Sequence, residues 1–217
     1  YCVSYKIYTA FYESQGIEGW EAMEATLAHI PKTHFTIADA KRGDIGNTSA
    51  QYAKTFFETL PFDAITVAPY MGKDSIDPFL AYSNKWTIVL GLTSNPGSQN
   101  FEQQKLANGQ FLYESVLEQV ASWGTPEQLM FVVGATKAHD LESIRKIIPA
   151  HFLLVPGVGA QGGSLADVTK YGKNDSVGLL INASRAVIFA SSGADFAAEA
   201  AIAAKGYADE MKVLLAL

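Results

Sequence analysis

Seven short apolar runs, separated by stretches whose apolar residues recur at helical spacing, constrain this chain more than any other feature. The runs are Tyr1 to Ile7, His34 to Ala38, Ala64 to Val67, Trp86 to Leu92, Leu129 to Val133, Phe152 to Val155 and Val177 to Ile181. Their lengths and content are those of β-strands. Between them, Trp20, Met23, Leu27 and Ile30 share one helical face, as do Tyr52, Ala53, Phe56, Phe57 and Leu60. Further helices are predicted from Leu112, Val116, Val120 and Trp123, from Leu141, Ile144 and Ile148, and along the alanine-rich stretch from Phe196 to Leu215. Several strands are apolar almost throughout, as parallel strands covered on both faces are. Alternation without composition shifts or linkers predicts a single α/β domain over residues 1–217, either a doubly wound sheet or a (β/α)8 barrel. Seven strands and an abrupt beginning at Tyr1 favour the barrel, with its first strand missing from the chain as given.

With 217 residues, 48% of them hydrophobic, the chain is large enough for one sizeable core. Its net charge of −6, and 16 Lys plus Arg never gathered into a basic run, argue against a nucleic-acid partner. The lone Cys2 cannot form an internal disulfide, no apolar stretch reaches the roughly 18 residues of a membrane span, and no charged-then-apolar leader opens the chain. The expected compartment is therefore the cytoplasm, with no membrane partner. His29, His34, His139 and His151 are scattered singly, so no metal cluster is spelled out.

The chemistry concentrates at strand ends. "IADAKRGDIGNT", residues 37 to 48, places Asp39, Lys41, Arg42 and Asp44 directly after an apolar run. Side chains alternate along a strand, so if this one continues to Lys41, Asp39 and Lys41 point to one side and Ala38 and Ala40 to the other. In a barrel, inward charges at the carboxyl end of a strand lie at the mouth, where barrel enzymes do their chemistry. Lys6 ends the preceding strand, so three charges are expected to converge, and a lysine so placed can act as an acid. A solvated ion cluster on a loop is the other reading of such a run. Thr48, with Gln51 three positions on, forms a candidate capping box for the helix through Tyr52. Asp44 and Ile45 fall in a tight glycine-flanked loop, where an exposed isoleucine calls for a covering partner such as a neighbouring subunit.

Two late turns add a second expectation. "LLVPGVGAQGGSLADV" passes from strand through glycines into a helix, and "LLINASRAVI" ends its strand at Asn182, Ala183, Ser184 and Arg185. The last two turns of a barrel commonly bind phosphate through backbone amides and a helix start. Arg185 adds a bidentate grip and Gln161 a neutral donor, which predicts a phosphate monoester as substrate. Gly157, Gly159 and Gly162 also fit the GxGxxG dinucleotide fingerprint, with Arg185 read as an NADP contact. Against that, the motif sits in the next-to-last unit and no acidic residue ends the following strand near Ile181. Glycines needed only for a tight turn are a third reading. The long polar connection from Thr93 to Gly109 is either a lid over the mouth or surface disorder.

At these residues the chain resembles the orotidine 5'-phosphate decarboxylase family, in particular the subgroup carrying "DAKRGDIGNT". The likeness runs through "YK" and the following "AFYE", then "DAKRGDIGNT", "APYMG", "TSNPG", "PGVGAQGG" and "SR" near the last strand, nearly the whole chain. The resemblance implies cofactor-independent, metal-free loss of CO2 from orotidine 5'-phosphate to give UMP. It implies a Lys-Asp-Lys-Asp array of Lys6, Asp39, Lys41 and Asp44. Asp44, Ile45 and Thr48 would enter the partner's active site across a homodimer, and Lys41 would protonate the carbanion at C6 of the pyrimidine. By the same resemblance Ser94 contacts the pyrimidine, and Gln161 and Arg185, with Ser184 beside them, hold the phosphate. The chain departs from the family pattern in lacking the first strand with its ribose-contacting aspartate. It also has Ile7 and Tyr8 where many relatives have Pro-Asn after the first lysine. A Mg2+-dependent sugar-phosphate decarboxylase or aldolase of the same barrel group resembles the chain at Asp39, Lys41 and Asp44, and is the alternative alongside the NADP oxidoreductase.

Overall fold

All seven runs form strands in the computed structural model, which describes residues 1–159 and 162–216. They are β1 (Ser4–Tyr8), β2 (Phe35–Arg42), β3 (Ala64–Val67), β4 (Trp86–Leu92), β5 (Leu129–Val133), β6 (Phe152–Pro156) and β7 (Leu179–Asn182), and they follow one another in the sheet in sequence order. The helices between them are α1 (Thr9–Glu13), α2 (Gly16–His29), α3 (Gly46–Lys54), α4 (Lys73–Leu80), α5 (Leu112–Ala121), α6 (Leu141–Ile147), α7 (Leu165–Gly172), α8 (Arg185–Ile188) and α9 (Phe196–Leu215). Parallel strands require such crossovers, and helices on a sheet face bury strands that are apolar along their length. The chain divides into two compact units, Val3–Leu90 with Gln119–Met130, and Tyr1–Cys2 with Gly91–Glu118 and the residues from Phe131 onward.

In the first unit β1, β2, β3 and β4 pair in parallel, with Lys6 opposite Ile37, Tyr8 opposite Asp39, and Ala64 opposite Trp86. Every residue of β3 is buried. Helix α2 buries Met23 and Leu27 of its predicted face, whereas Trp20 remains 37% exposed. Helix α3 begins at Gly46 behind an extended Ile45 with no side-chain cap, so Thr48 lies inside the first turn and the predicted capping box with Gln51 does not form. A π turn, Thr55–Thr59, then carries Phe56 and Phe57 into the core. Their rings meet Phe62 and Phe79 at centroid distances of 6.1 and 6.4 Å, separations typical of favourable aromatic pairs.

In the second unit β6 and β7 pair in parallel, with Val155 opposite Ile181. Helix α6 buries Leu141 and Ile144, with Ile148 just beyond it also buried, as its spacing predicts. Helix α5 differs from expectation: it buries Tyr113, Leu117 and Val120, while Leu112, Val116 and Trp123 stay half-buried. Tyr113 turns one position of the repeat inward, which rotates the buried stripe. Arg145 fastens the amino-terminal approaches of β6 and β7. Its guanidinium donates to the carbonyls of Gly172 (2.6 Å), His151 (2.6 Å), Gly178 (2.7 Å) and Ile148 (3.3 Å). Burial pushes its pKa down to about 10. Helix α9 forms over the predicted span yet buries none of its residues among those described; alanine supplies helix propensity without a wide apolar face. No helix among the described residues is long and apolar enough to cross a membrane.

Candidate active site

Strand β2 does not stop at Ala38 as its apolar content suggests, but continues to Arg42 and carries the charged motif with it. Its register against β3 shifts between Ala38 and Arg42, and within that irregularity Lys41 adopts φ +46°. A lysine in this left-handed region is strained, and such residues persist where surrounding contacts fix them. Ala38 faces the packed side and is fully buried, while Asp39 and Lys41 turn to the other side, as alternation predicts.

Three of the four expected array members meet. The Asp39 carboxylate accepts Lys6 Nζ on Oδ2 and Lys41 Nζ on Oδ1, and Oδ1 also lies 3.1 Å from the Thr66 hydroxyl. The exposures of the lysines differ sharply: the Lys6 side chain is 5% exposed and that of Lys41 49%, with Asp39 at 5%. The Lys6 ammonium also sits 3.4 Å from the centroid of the Tyr8 ring, two residues on along β1, so a cation–π contact supplements its carboxylate. Burial alone raises the Asp39 carboxyl, but the charges and hydrogen bonds of Lys6 and Lys41 outweigh it and hold the pKa below the usual value. The cluster is therefore an ionised carboxylate with one sealed and one open ammonium. The open one, that of Lys41, reaches solvent while paired with Asp39.

Asp44 is not brought to this cluster. Its Oδ1 accepts the Ile45 amide at 2.8 Å, and it makes no ion pair among the described residues. Ile45 is 52% exposed and Thr48 is exposed beside it. Arg42, the second base of the motif, turns away. It pairs with Glu13 and lies over the rings of Tyr52 (5.2 Å) and Phe56 (5.3 Å), packing that its sequence neighbours do not announce. Thr66 is likewise invisible in the sequence, because a threonine in an apolar strand carries no signal beyond β-propensity.

In the second unit, Ser94 follows β4 and is half-buried. Gly134, after β5, comes so close to it that a Cβ would stand 2.6 Å from the Ser94 Cβ, so no larger residue fits between these strand ends. The turn between β6 and α7 has Gly157, Gly159 and Gly162 all at positive φ, and Ser164 caps α7 by accepting the Asp167 amide at 3.1 Å. Gln161 lies outside the described residues. The Ser184 hydroxyl accepts the Asn182 side-chain Nδ2 at 3.2 Å, and Arg185 opens α8 exposed, with no ion pair among the described residues. The connection after β4 is not loose. Pro96–Asn100 form a 3-10 turn that buries Ser98, and Glu102 accepts both the Thr93 amide (2.7 Å) and its hydroxyl (2.8 Å). No group of three or more metal-binding side chains occurs among the described residues.

Sequential parallel strands with charged groups at their carboxyl ends define the class: an enzyme of the (β/α) barrel type. Residues 1–201 match the family described as "Orotidine 5'-phosphate decarboxylase / HUMPS family", and the chain belongs to that family. Among curated relatives, an orotidine 5'-phosphate decarboxylase of Bacteroides fragilis is 55% identical over 214 residues, 97% of this chain and 78% of that one. One of Flavobacterium johnsoniae is 58% identical over 201 residues, 91% of this chain and 73% of the relative. The solved OMP decarboxylase of Leishmania donovani superposes with a TM-score of 0.86 at 36% identity, covering 97% of this chain and 80% of that one. That of Methanocaldococcus jannaschii, complexed with inhibitor BMP, gives 0.65 at 25% identity, covering 84% and 77%. The barrel fold class expected from the strand pattern is thereby established, and neither the NADP reading nor the sugar-phosphate one is favoured.

Proposed function

We propose that this chain is a carboxy-lyase that converts orotidine 5'-phosphate to UMP and CO2 in pyrimidine synthesis, without a cofactor. The observation that carries the reading is the ion cluster that Lys6 of β1 forms with Asp39 and Lys41 of β2, in a chain whose close relatives bear that activity's name. The C6–carboxylate bond breaks with its electron pair left on C6, CO2 departs, and Lys41 gives its proton to C6. Asp39 stands near the departing carboxylate, and the fixed ammonium groups stabilise the carbanion as it forms, which matters more than stress on the substrate. Lys6 holds Asp39 ionised and in place.

Ser94 contacts the pyrimidine, while Gln161, Ser184 and Arg185 hold the phosphate. Asp44, Ile45 and Thr48 serve the active site of a second copy in a homodimer. The half-exposed Ile45 and the absence of an ion pair to Asp44 among the described residues support this assignment. Residues 1–217 act as one barrel domain, in the cytoplasm.

The test is turnover of orotidine 5'-phosphate in the presence of a chelator. A folded but inactive dimer overturns the reading, and activity lost to the chelator and restored by Mg2+ favours the sugar-phosphate alternative. Mixing Lys41→Ala with Asp44→Ala chains should regenerate part of the activity, because one interface of a hybrid then holds a complete array. No recovery from demonstrated hybrids places Asp44 in its own subunit's site.

A further inference from the structure

Thr66 lies on β3, flanked by β2 and β4, and is 1% exposed. Valine would fill the same space and suit a buried strand better, so packing does not account for a hydroxyl here. Two hydrogen bonds do. The Lys41 amide donates to Thr66 Oγ1 at 3.0 Å, and the same oxygen lies 3.1 Å from Asp39 Oδ1. A hydroxyl has one hydrogen to give. Because the Lys41 amide occupies an acceptor position, that hydrogen goes to Asp39 Oδ1, the Ala38 carbonyl at 3.5 Å being the longer alternative.

Both bonds fall where regular structure fails. The β2–β3 register shifts between Ala38 and Arg42, so the Lys41 amide has Thr66 as its acceptor instead of a ladder carbonyl. On the far side of the irregularity the Ala68 amide donates to the Arg42 carbonyl at 2.8 Å. Lys41, at φ +46°, is thus anchored immediately before and after its own strained backbone. We infer that Thr66 is a positioning residue for the reaction, its hydroxyl tying the Asp39 carboxylate and the Lys41 backbone into a single arrangement. Lys6 and Lys41 supply the charge; Thr66 selects the rotation of the carboxylate and the place from which the Lys41 ammonium rises. The inference rests on the catalytic assignment of Asp39 and Lys41 proposed above.

The experiment compares Thr66→Val, Thr66→Ser and Lys41→Ala with the unmodified protein, measuring kcat, KM and the pH profile for orotidine 5'-phosphate, with thermal melting as the control for folding. Thr66→Val should lower kcat about tenfold to a hundredfold, the effect of losing one hydrogen bond to a charged group in a buried site. KM should stay within about threefold, since the groups that hold the ground state are untouched. The acid limb of kcat should move to higher pH, because a carboxylate deprived of a donor is harder to ionise. Thr66→Ser restores the hydroxyl and should recover most of kcat and the original limb. Unchanged kcat in Thr66→Val, a loss confined to KM, or Thr66→Ser as impaired as Thr66→Val overturns the inference. If Thr66→Val does not fold, Thr66→Ala replaces it, and equal kcat in Thr66→Ala and Thr66→Ser overturns the inference in the same way. An inactive Lys41→Ala beside an unimpaired Thr66→Val overturns this inference alone, whereas an active Lys41→Ala overturns the assignment beneath it.

Discussion

Asp39→Asn keeps the shape of the side chain and removes the negative charge against which Lys6 is buried. With the Lys6 side chain only 5% exposed, the variant leaves an ammonium in the protein without its counterion. Breaking a buried pair by removing one partner costs about 3–5 kcal/mol, of which the Tyr8 ring face should return about 1 kcal/mol, leaving about 3 kcal/mol. An ammonium can escape by shedding its proton, which at pH 7 costs a lysine of ordinary pKa about 4.6 kcal/mol and so sets a ceiling. In a chain of this size about 3 kcal/mol lowers Tm by about 6–12 °C. The assay is urea or thermal unfolding of both proteins at pH 7 and near pH 10. The deficit should shrink at the higher pH, where the unfolded lysine is losing its charge as well. At the acid end the sign reverses. Asp39 has a depressed pKa in the folded protein, so it contributes stability above the ordinary carboxyl pKa and loses it as pH falls through the folded value. The variant lacks that acid-side loss. A deficit below about 1 kcal/mol, or one equal at pH 7 and pH 10, refutes the account of Lys6 as a sealed charge held by Asp39.

Lys41→Ala should leave the melting temperature nearly unchanged, since the side chain is half exposed, and should reduce kcat about a hundredfold to ten-thousandfold, as loss of a general acid does. Steady-state kinetics checks it, and unchanged turnover refutes the role. Arg185→Ala should raise KM about tenfold to a hundredfold through lost charge-assisted hydrogen bonds. A normal KM counts against a phosphate contact. Arg145→Met should destabilise the protein by about 3 kcal/mol, because four carbonyls lose a charged donor, that of Gly178 retaining the Leu153 amide, while the buried volume is kept. Denaturant unfolding checks this, and a change within about 0.5 kcal/mol would show that water replaces the guanidinium.

The strands from Ala64 to Val67, Trp86 to Leu92 and Leu129 to Val133 coincide with their apolar runs, because a strand covered on both faces must be apolar along its length. The end of β2 is not legible in the same way. Asp39 to Arg42 belong to the strand through long-range pairing and a register shift, neither of which leaves a local pattern. The convergence of Lys6, Asp39 and Lys41 can be read from strand position, since it depends only on alternation and on which end of a strand faces the mouth. Thr66, Glu13 and the fate of Arg42 cannot be read. Each depends on a partner 25 or more residues away, selected by tertiary packing rather than by spacing. The α5 stripe fails for a different reason: Leu112, Val116 and Trp123 keep helical spacing, but Tyr113 and Leu117 keep it equally well, and only the neighbouring elements decide between the two faces.

The unequal exposure of the two lysines on Asp39 bears on how the protein readies itself for another cycle. An ammonium half in contact with water trades its hydrogens with the solvent freely, whereas one enclosed between a carboxylate and an aromatic ring does so slowly. On the proposed assignment of Lys41 as the proton donor, its ammonium would be recharged directly from the medium once product leaves. On the same assignment Lys6, enclosed between Asp39 and the Tyr8 ring, would take no part in that exchange, so the charges around the consumable proton stay in place while it is renewed.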